Sequence, residues 1–145
     1  MEVIDKFEGD FAFLSNFYPA EIIYKGICYP TVEHAYQAAK SDDPSVRRLM
    51  AHHSNPALAK KAGKVIRLRE DWEDAKLGIM KELVAQKFQN PELRAMLDLT
   101  AGYELVEGNW WGDTYWGVCR GEGLNYLGNI LMQIRDIKGN DNENS

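Results

Sequence analysis

The chain has 145 residues, about one domain's length, and its composition of 45% hydrophobic and 27% charged residues excludes intrinsic disorder. A formal net charge of −5 excludes a broad electrostatic grip on nucleic acid, so an anionic substrate would need local lysine or arginine side chains. The two cysteines and three histidines form no metal-binding motif, and the sequence predicts neither a metal site nor a cofactor. Without a signal peptide or a long apolar run, we expect a soluble cytoplasmic protein with no membrane partner.

The N-terminal part of the chain predicts short strands. Residues 3–7 predict one strand, and the aromatic stretch 11–19 is either a buried connector or a pocket wall that offers hydrogen bonds from Ser15 and Asn16. Residues 20–24 and 27–29 predict a hairpin, because glycine in the Lys25-Gly26 turn can take a positive φ.

The next stretch predicts a helix from Thr31, a good N-cap after Pro30, to Lys40. Four of its residues recur at helical spacing as a core stripe: Val32, Ala35, Tyr36 and Ala39. Glu33, Gln37 and Lys40 fall at i, i+4 and i+7, a second stripe that is entirely polar. This second stripe is either a surface ion pair of small energetic value or a functional carboxylate and ammonium on one face.

Four helices are predicted in the middle of the chain. Three begin at a capping residue followed by proline and span roughly 44–51, 56–63 and 91–99. The fourth covers 71–89, with Asp71 as a possible cap and Trp72 in the first turn, where an indole can stack on a ligand. The basic run between residues 60 and 69 is either a solvated face or a phosphate contact.

Residues 108–117 hold three tryptophans and three glycines, a composition in which flat rings lie beside a closely approaching backbone. Asp113 is the only acid in this stretch. It is either a functional carboxylate or a turn former that binds its own backbone.

The last predicted helix spans about 125–138 and ends at Gly139, and residues 140–145 are expected to be a disordered tail. The pattern therefore indicates one predominantly helical α+β domain, residues 1–139, with a small antiparallel sheet. Two acids, Glu33 and Asp113, in apolar or aromatic settings suit glycosidic bond hydrolysis: one carboxylate stabilises an oxocarbenium-like sugar or activates water, and the other manages a proton. From the residues alone, this activity and non-catalytic nucleotide binding both stay open.

Seven motifs in order resemble the NADAR family, also called YbiA-like. They are FLSNFYP (13–19), YPTVEHAYQAAK (29–40), DWEDAKLGIM (71–80), KFQN (87–90), LVE (105–107), DTYWG (113–117) and GLNYLGNILMQIR (123–135). The resemblance covers nearly the whole chain and implies the family's mainly helical α+β fold. It also implies an N-glycosidase that cleaves the base–ribose bond of phosphoribosylated pyrimidine intermediates of riboflavin biosynthesis, without a metal or other cofactor.

The same resemblance assigns site residues by position. The family's catalytic acid falls on Glu33, and its D-x-x-W-G acid and indole fall on Asp113 and Trp116. Trp116 and the remaining matches are expected to bind substrate: Asn16, Phe17, Lys40, Trp72 and Asn125. The run 109–112 is more aromatic than the family pattern.

Two alternatives accompany this function. One is an ADP-ribosyl glycohydrolase that removes ADP-ribose from guanine bases, in which case nucleic acid is a partner only as an ADP-ribosylated substrate. The other is a non-catalytic module that binds a nucleotide or ADP-ribose. In each case the partner is a phosphoribosyl or ADP-ribosyl group.

Overall fold

A computed structural model of the chain describes residues 2–143, with side chains described as far as residue 137. In chain order the elements are β1 (Val3–Ile4), a 3₁₀ helix (Gly9–Leu14), β2 (Ile22–Tyr24), β3 (Ile27–Tyr29), α1 (Val32–Ala39), α2 (Pro44–Ala51), α3 (Pro56–Gly63), α4 (Trp72–Lys87), α5 (Pro91–Asp98), β4 (Glu104–Leu105), β5 (Gly108–Asn109), β6 (Val118–Cys119) and α6 (Tyr126–Glu143). The expected α+β, mainly helical architecture is confirmed.

Helix starts follow side-chain caps. The Thr31 hydroxyl accepts a hydrogen bond from the His34 amide (3.0 Å), and so satisfies an amide that the first turn of α1 leaves unpaired. The other capping side chains with proline after them are Asp43, Asn55 and Asn90, which cap α2, α3 and α5. These four predicted starts are confirmed.

The strands form three pairs in the described part of the chain. β2 and β3 are antiparallel, and Gly26 takes a left-handed backbone angle (φ 79°) in the turn between them, as predicted. Lys25 (φ 49°) is also left-handed, which the sequence did not indicate. The other two pairs, β1 with β4 and β5 with β6, are parallel, whereas the sequence indicated only antiparallel pairing. Parallel partners are not joined by a tight hairpin turn, so no turn signal in the sequence marks their pairing.

Residues 16–87 form one structural unit, which contains the β2–β3 hairpin and helices α1 to α4. Helix α1 lies at its centre and packs against α2, α3, α4 and both strands of the hairpin. All eight residues of α1 are buried, including the polar Glu33 and Gln37. A surface ion pair of Glu33 with Lys40 is therefore excluded, because Glu33 does not lie at the surface.

Residues 2–15 and 88–143 form the other unit, with its core around Leu105, Leu127 and Leu131. Helix α6 continues to Glu143, past the end at Gly139 that the sequence predicted. The last two residues of the expected tail, 144 and 145, lie outside the described residues. Within residues 2–143, no helix combines the length and the apolar character needed to cross a membrane.

Candidate active site

Glu33 lies in the first turn of α1 and is only 7% exposed. Its backbone amide donates to the carbonyl of Asn16 (3.1 Å), and its carboxylate Oε1 accepts a hydrogen bond from Nε2 of Gln37 (2.9 Å). The position near the positive end of the helix dipole favours the ionised carboxylate. The protein thus buries one carboxylate oxygen in a defined orientation.

Asn16 and Phe17 precede the hairpin. The carbonyl of Asn16 satisfies an amide at the start of α1, and its side-chain Nδ2 contacts the Met80 sulfur at 3.5 Å. Phe17 is 39% exposed. Asn16 therefore fixes the backbone that carries Glu33, and the Phe17 ring has a face open to solvent.

Lys40 follows the last turn of α1. Its Nζ lies 3.5 Å from the carbonyl oxygen of Gly63 and 5.9 Å from the centre of the Tyr36 ring. Burial lowers the pKa of Lys40, the charge of Glu33 opposes that effect, and three further lysines lower the pKa again: Lys76, Lys60 and Lys64. Lys40 therefore lies close enough to three other lysines and to Glu33 for their charges to influence its pKa.

Trp72 begins α4 and is 4% exposed. Its ring centre lies 5.2 Å from that of Tyr36 on α1, with the ring planes at 53°. The packing that the structure shows for Trp72 is therefore intramolecular. Direct stacking of Trp72 on a substrate stays a prediction.

Asp113 organises a turn in the other unit. Its Oδ1 accepts hydrogen bonds from the backbone amides of Tyr115 (3.0 Å) and Trp116 (2.9 Å). Asn109 holds the same turn from the other side: its Nδ2 donates to the Asp113 carbonyl (2.8 Å) and its Oδ1 accepts from the Asp113 amide (3.0 Å). The turn-forming role considered for Asp113 is thus present, and a catalytic role stays a prediction.

The aromatic side chains after Asp113 are partly covered. Trp116 is half-buried and meets Tyr115 edge to face, with ring centres 4.7 Å apart. Trp110 and Trp111, in the unusually aromatic run 109–112, are 83% and 49% exposed. These two indoles supply the additional aromatic surface that distinguishes this run.

Asn125 is buried and uses both ends of its side chain on backbone groups. Its Oδ1 accepts from the amide of Glu107 (3.0 Å), and its Nδ2 donates to the carbonyl of Leu105 (3.0 Å). Asn125 therefore holds the chain after β4, and a direct contact of Asn125 with substrate stays a prediction.

The structure brings together part of the predicted set. The Asn16 carbonyl binds the Glu33 amide at the start of α1, Lys40 follows the last turn of the same helix, and the rings of Trp72 and Tyr36 are in contact. Asp113, Trp116 and Asn125 belong to the other unit.

Two residues of this neighbourhood were absent from the predicted site. Gln37 binds Glu33, and its place four residues on was a visible signal. Gly63 packs on the Gln37 amide, a contact with no sequence signal.

Among residues 2–137, whose side chains the structure describes, no group of three or more His, Cys, Asp and Glu side chains is arranged to hold a metal ion. The reaction's independence from metal stays a prediction.

Comparison with known proteins identifies relatives along most of the chain. The model of the NADAR domain matches residues 5–137. The N-glycosidase YbiA of Escherichia coli (strain K12) is 39% identical over 132 residues, which are 88% of this chain and 80% of the relative. The riboflavin biosynthesis protein VVA0006 of Vibrio vulnificus is 38% identical over 128 residues, but the match spans only 35% of that protein's length. The NMR structure of E. coli YbiA superposes with a TM-score of 0.85 at 34% identity, and the alignment covers 100% of this chain and 90% of that one.

Proposed function

Because this chain belongs to the NADAR family, we propose that it hydrolyses the base–ribose N-glycosidic bond of a phosphoribosylated pyrimidine intermediate of riboflavin biosynthesis. Its likeness to an N-glycosidase over 88% of its length makes it a hydrolase of N-glycosyl compounds with a small-molecule substrate. The name of the relative from V. vulnificus, a riboflavin biosynthesis protein, supports the choice of pathway.

The observation that carries the proposal is the buried carboxylate of Glu33. In N-glycoside hydrolysis the bond from C1′ to the base nitrogen breaks, and the sugar develops positive charge before water adds to C1′. The electron pair of the broken bond stays with the base nitrogen, which takes up a proton. An ionised carboxylate held in place by Gln37 can stabilise the charge on the sugar and orient the water, and the proton that the water loses during attack balances the proton that the leaving nitrogen gains. Burial strengthens these interactions, because little water screens them.

Lys40 supplies the matching recognition group. Its ammonium lies at the far end of the same helix, and the pKa of Lys40 responds to the charges of Lys60, Lys64 and Lys76. A phosphate bound at Lys40 would be stabilised by this local positive charge, which the chain's net charge of −5 does not provide. The bound phosphate would then hold the ribose so that its C1′ lies near the carboxylate of Glu33.

We place the reaction in the cytoplasm. Both cysteines are free, and Cys28 is exposed, a state that a reducing compartment preserves.

The experiment is incubation of the protein with phosphoribosylated pyrimidines and detection of free ribose phosphate and free base. Glu33→Gln is the control variant, because its new amide oxygen can still accept from Gln37 while the charge is lost. We expect the parent to release both products and the variant to be slower by at least about a hundredfold. Binding without product would contradict hydrolysis. A Glu33→Gln variant that keeps most of the rate would contradict the role of Glu33.

A parallel incubation with ADP-ribosylated guanine in an oligonucleotide tests the substrate class. Release of ADP-ribose from guanine at a higher kcat/KM than release of ribose phosphate would overturn the proposed substrate. Activity on the phosphoribosylated pyrimidine without activity on the oligonucleotide would support the proposed substrate.

A further inference from the structure

We propose that Gln37 is a positioning residue for Glu33 and that Gly63, which has no side chain, leaves the space in which the Gln37 amide is held. This inference rests on the proposed function, because it assigns the group that orients the carboxylate of the same site. It begins with the hydrogen bond of 2.9 Å from Gln37 Nε2 to Glu33 Oε1.

The orientation of the Gln37 amide follows from its partner. An ionised carboxylate only accepts hydrogen bonds, so the amide nitrogen must face Glu33 and the amide oxygen must point away. Gln37 is 4% exposed, and its Oε1 has no hydrogen-bond partner within the described residues. An unpaired buried oxygen is destabilising, so stability alone does not explain an amide in this position.

Gly63, the last residue of α3, explains how the amide fits. A methyl group added at Gly63 would overlap Gln37 Oε1 and come within 2.6 Å of its Cδ. The backbone of Gly63 is not in the left-handed region, so the glycine is not needed for a special φ angle. It is needed for room, and any larger residue would push the amide towards Glu33 or away from it.

The same turn of α3 also contacts the other end of the site. The carbonyl oxygen of Gly63 lies 3.5 Å from Nζ of Lys40. One turn of α3 therefore touches both side chains that follow Glu33 along the polar stripe of α1. Its place relative to α1 fixes the carboxylate through Gln37.

The first test replaces Gln37 by methionine, which keeps the length of the side chain and removes the donor. With a phosphoribosylated pyrimidine as substrate, we expect kcat of Gln37→Met to fall about tenfold or more and KM to change less than about twofold, because the carboxylate is bound in place but misaligned. A Gln37→Met enzyme with the parent's kcat would overturn the proposal. A loss of stability in urea unfolding that accounts for the loss of rate, with kcat and KM changed by the same factor, would also overturn the proposal.

The second test is a double-mutant cycle with a matched control. Gly63→Ala should lower kcat about tenfold in the parent, but not further in the Gln37→Ala background, where the overlapping amide is gone. Gly78→Ala is the control, because Gly78 also lies in a helix and a methyl group there would meet nothing within 4 Å. If Gly63→Ala lowered kcat by the same factor in both backgrounds, the proposed role of Gly63 as space for the Gln37 amide would be wrong.

A measurement without substrate separates this inference from the proposed function. The side-chain amide protons of Gln37 should shift in a ¹H–¹⁵N NMR spectrum when Glu33 is changed to Ala, and Gly63→Ala should shift them too. These shifts are expected even if no phosphoribosyl substrate is hydrolysed. If the enzyme is active and neither change moves the Gln37 signals, the positioning role is wrong while the function stands.

Discussion

The carboxylate of Asp113 accepts a hydrogen bond from the backbone amide of Trp116 at 2.9 Å, so the acid and the indole of the D-x-x-W-G motif are joined through the backbone. The same oxygen also accepts from the amide of Tyr115. An asparagine at position 113 can keep both bonds through its own Oδ1, whereas an alanine loses them. This difference separates a structural role of Asp113 from a chemical one.

We therefore expect Asp113→Asn to unfold at nearly the parent's urea concentration while turnover falls about a hundredfold or more, because a charge is lost and the turn is kept. Asp113→Ala should also lose about 1–2 kcal/mol of unfolding free energy, as other lost backbone caps do. Urea unfolding and kcat measured on the same preparations provide the test. If Asp113→Asn kept full activity, Asp113 would be a turn former only.

Trp72 gives a second prediction, since its indole is 4% exposed and packs on Tyr36. Trp72→Ala should lower the free energy of unfolding by about 3–5 kcal/mol, and Trp72→Phe by less, because a smaller ring still reaches Tyr36. Trp110→Ala is the matched control: its indole is 83% exposed, so its effect should stay within about 0.5 kcal/mol. Similar stability of the Trp72→Ala variant and the parent would show that this indole is not part of the core.

The helix starts could be predicted from sequence because their causes are local. A capping side chain and a proline at the next position, as in Asp43-Pro44 and Asn55-Pro56, act within one turn. The Lys25-Gly26 hairpin turn is equally local. The sequence of a few neighbours was therefore sufficient for these elements.

The surroundings of Glu33 could not be predicted in the same way. Whether the polar stripe of α1 faces water depends on what packs against it, and those residues belong to other elements of the chain, as the contact of Tyr36 with Trp72 illustrates. Gly63 was predicted only to end a helix, and its role as room for Gln37 depends on the packing of α3 on α1. Parallel pairing of β1 with β4 is another long-range feature.

Lys40 should act on the phosphate of the substrate. Lys40→Met keeps much of the buried chain and removes the ammonium, so KM for a phosphorylated riboside should rise about tenfold or more, with little change for its dephosphorylated counterpart. Lys61→Met is the control, because Lys61 is an exposed lysine on the neighbouring helix α3. An equal loss for both substrates would instead indicate that Lys40 acts through Glu33, whose charge influences the pKa of Lys40.

Dialysis tests the expectation of metal-free hydrolysis. If side chains alone position the water, kcat should survive exhaustive dialysis against a strong chelator. Loss of activity that one divalent ion restores would overturn this expectation.

His34 gives the chain a predictable pH dependence of stability. Its Nε2 bonds to the His53 carbonyl (3.0 Å) and its Nδ1 to the Thr31 hydroxyl (2.8 Å), which fits a neutral ring that donates from Nε2 and accepts at Nδ1. Burial lowers the pKa of His34 below its ordinary value of 6.5. The hydrogen bond to the His53 carbonyl raises the pKa of His34 in part, and the charge of His53 lowers it further. The unfolded chain therefore binds the proton more readily, and the contribution of neutral His34 to stability is present above that value and declines as pH falls through it.

Urea unfolding between about pH 7.5 and about pH 5 should show this decline in the parent. His34→Gln keeps a donor for His53 but cannot titrate, so it should be less stable at the higher pH and show a flatter pH dependence. His52→Gln, which changes an exposed histidine, should follow the parent, and a parent-like slope in His34→Gln would assign the decline to other groups.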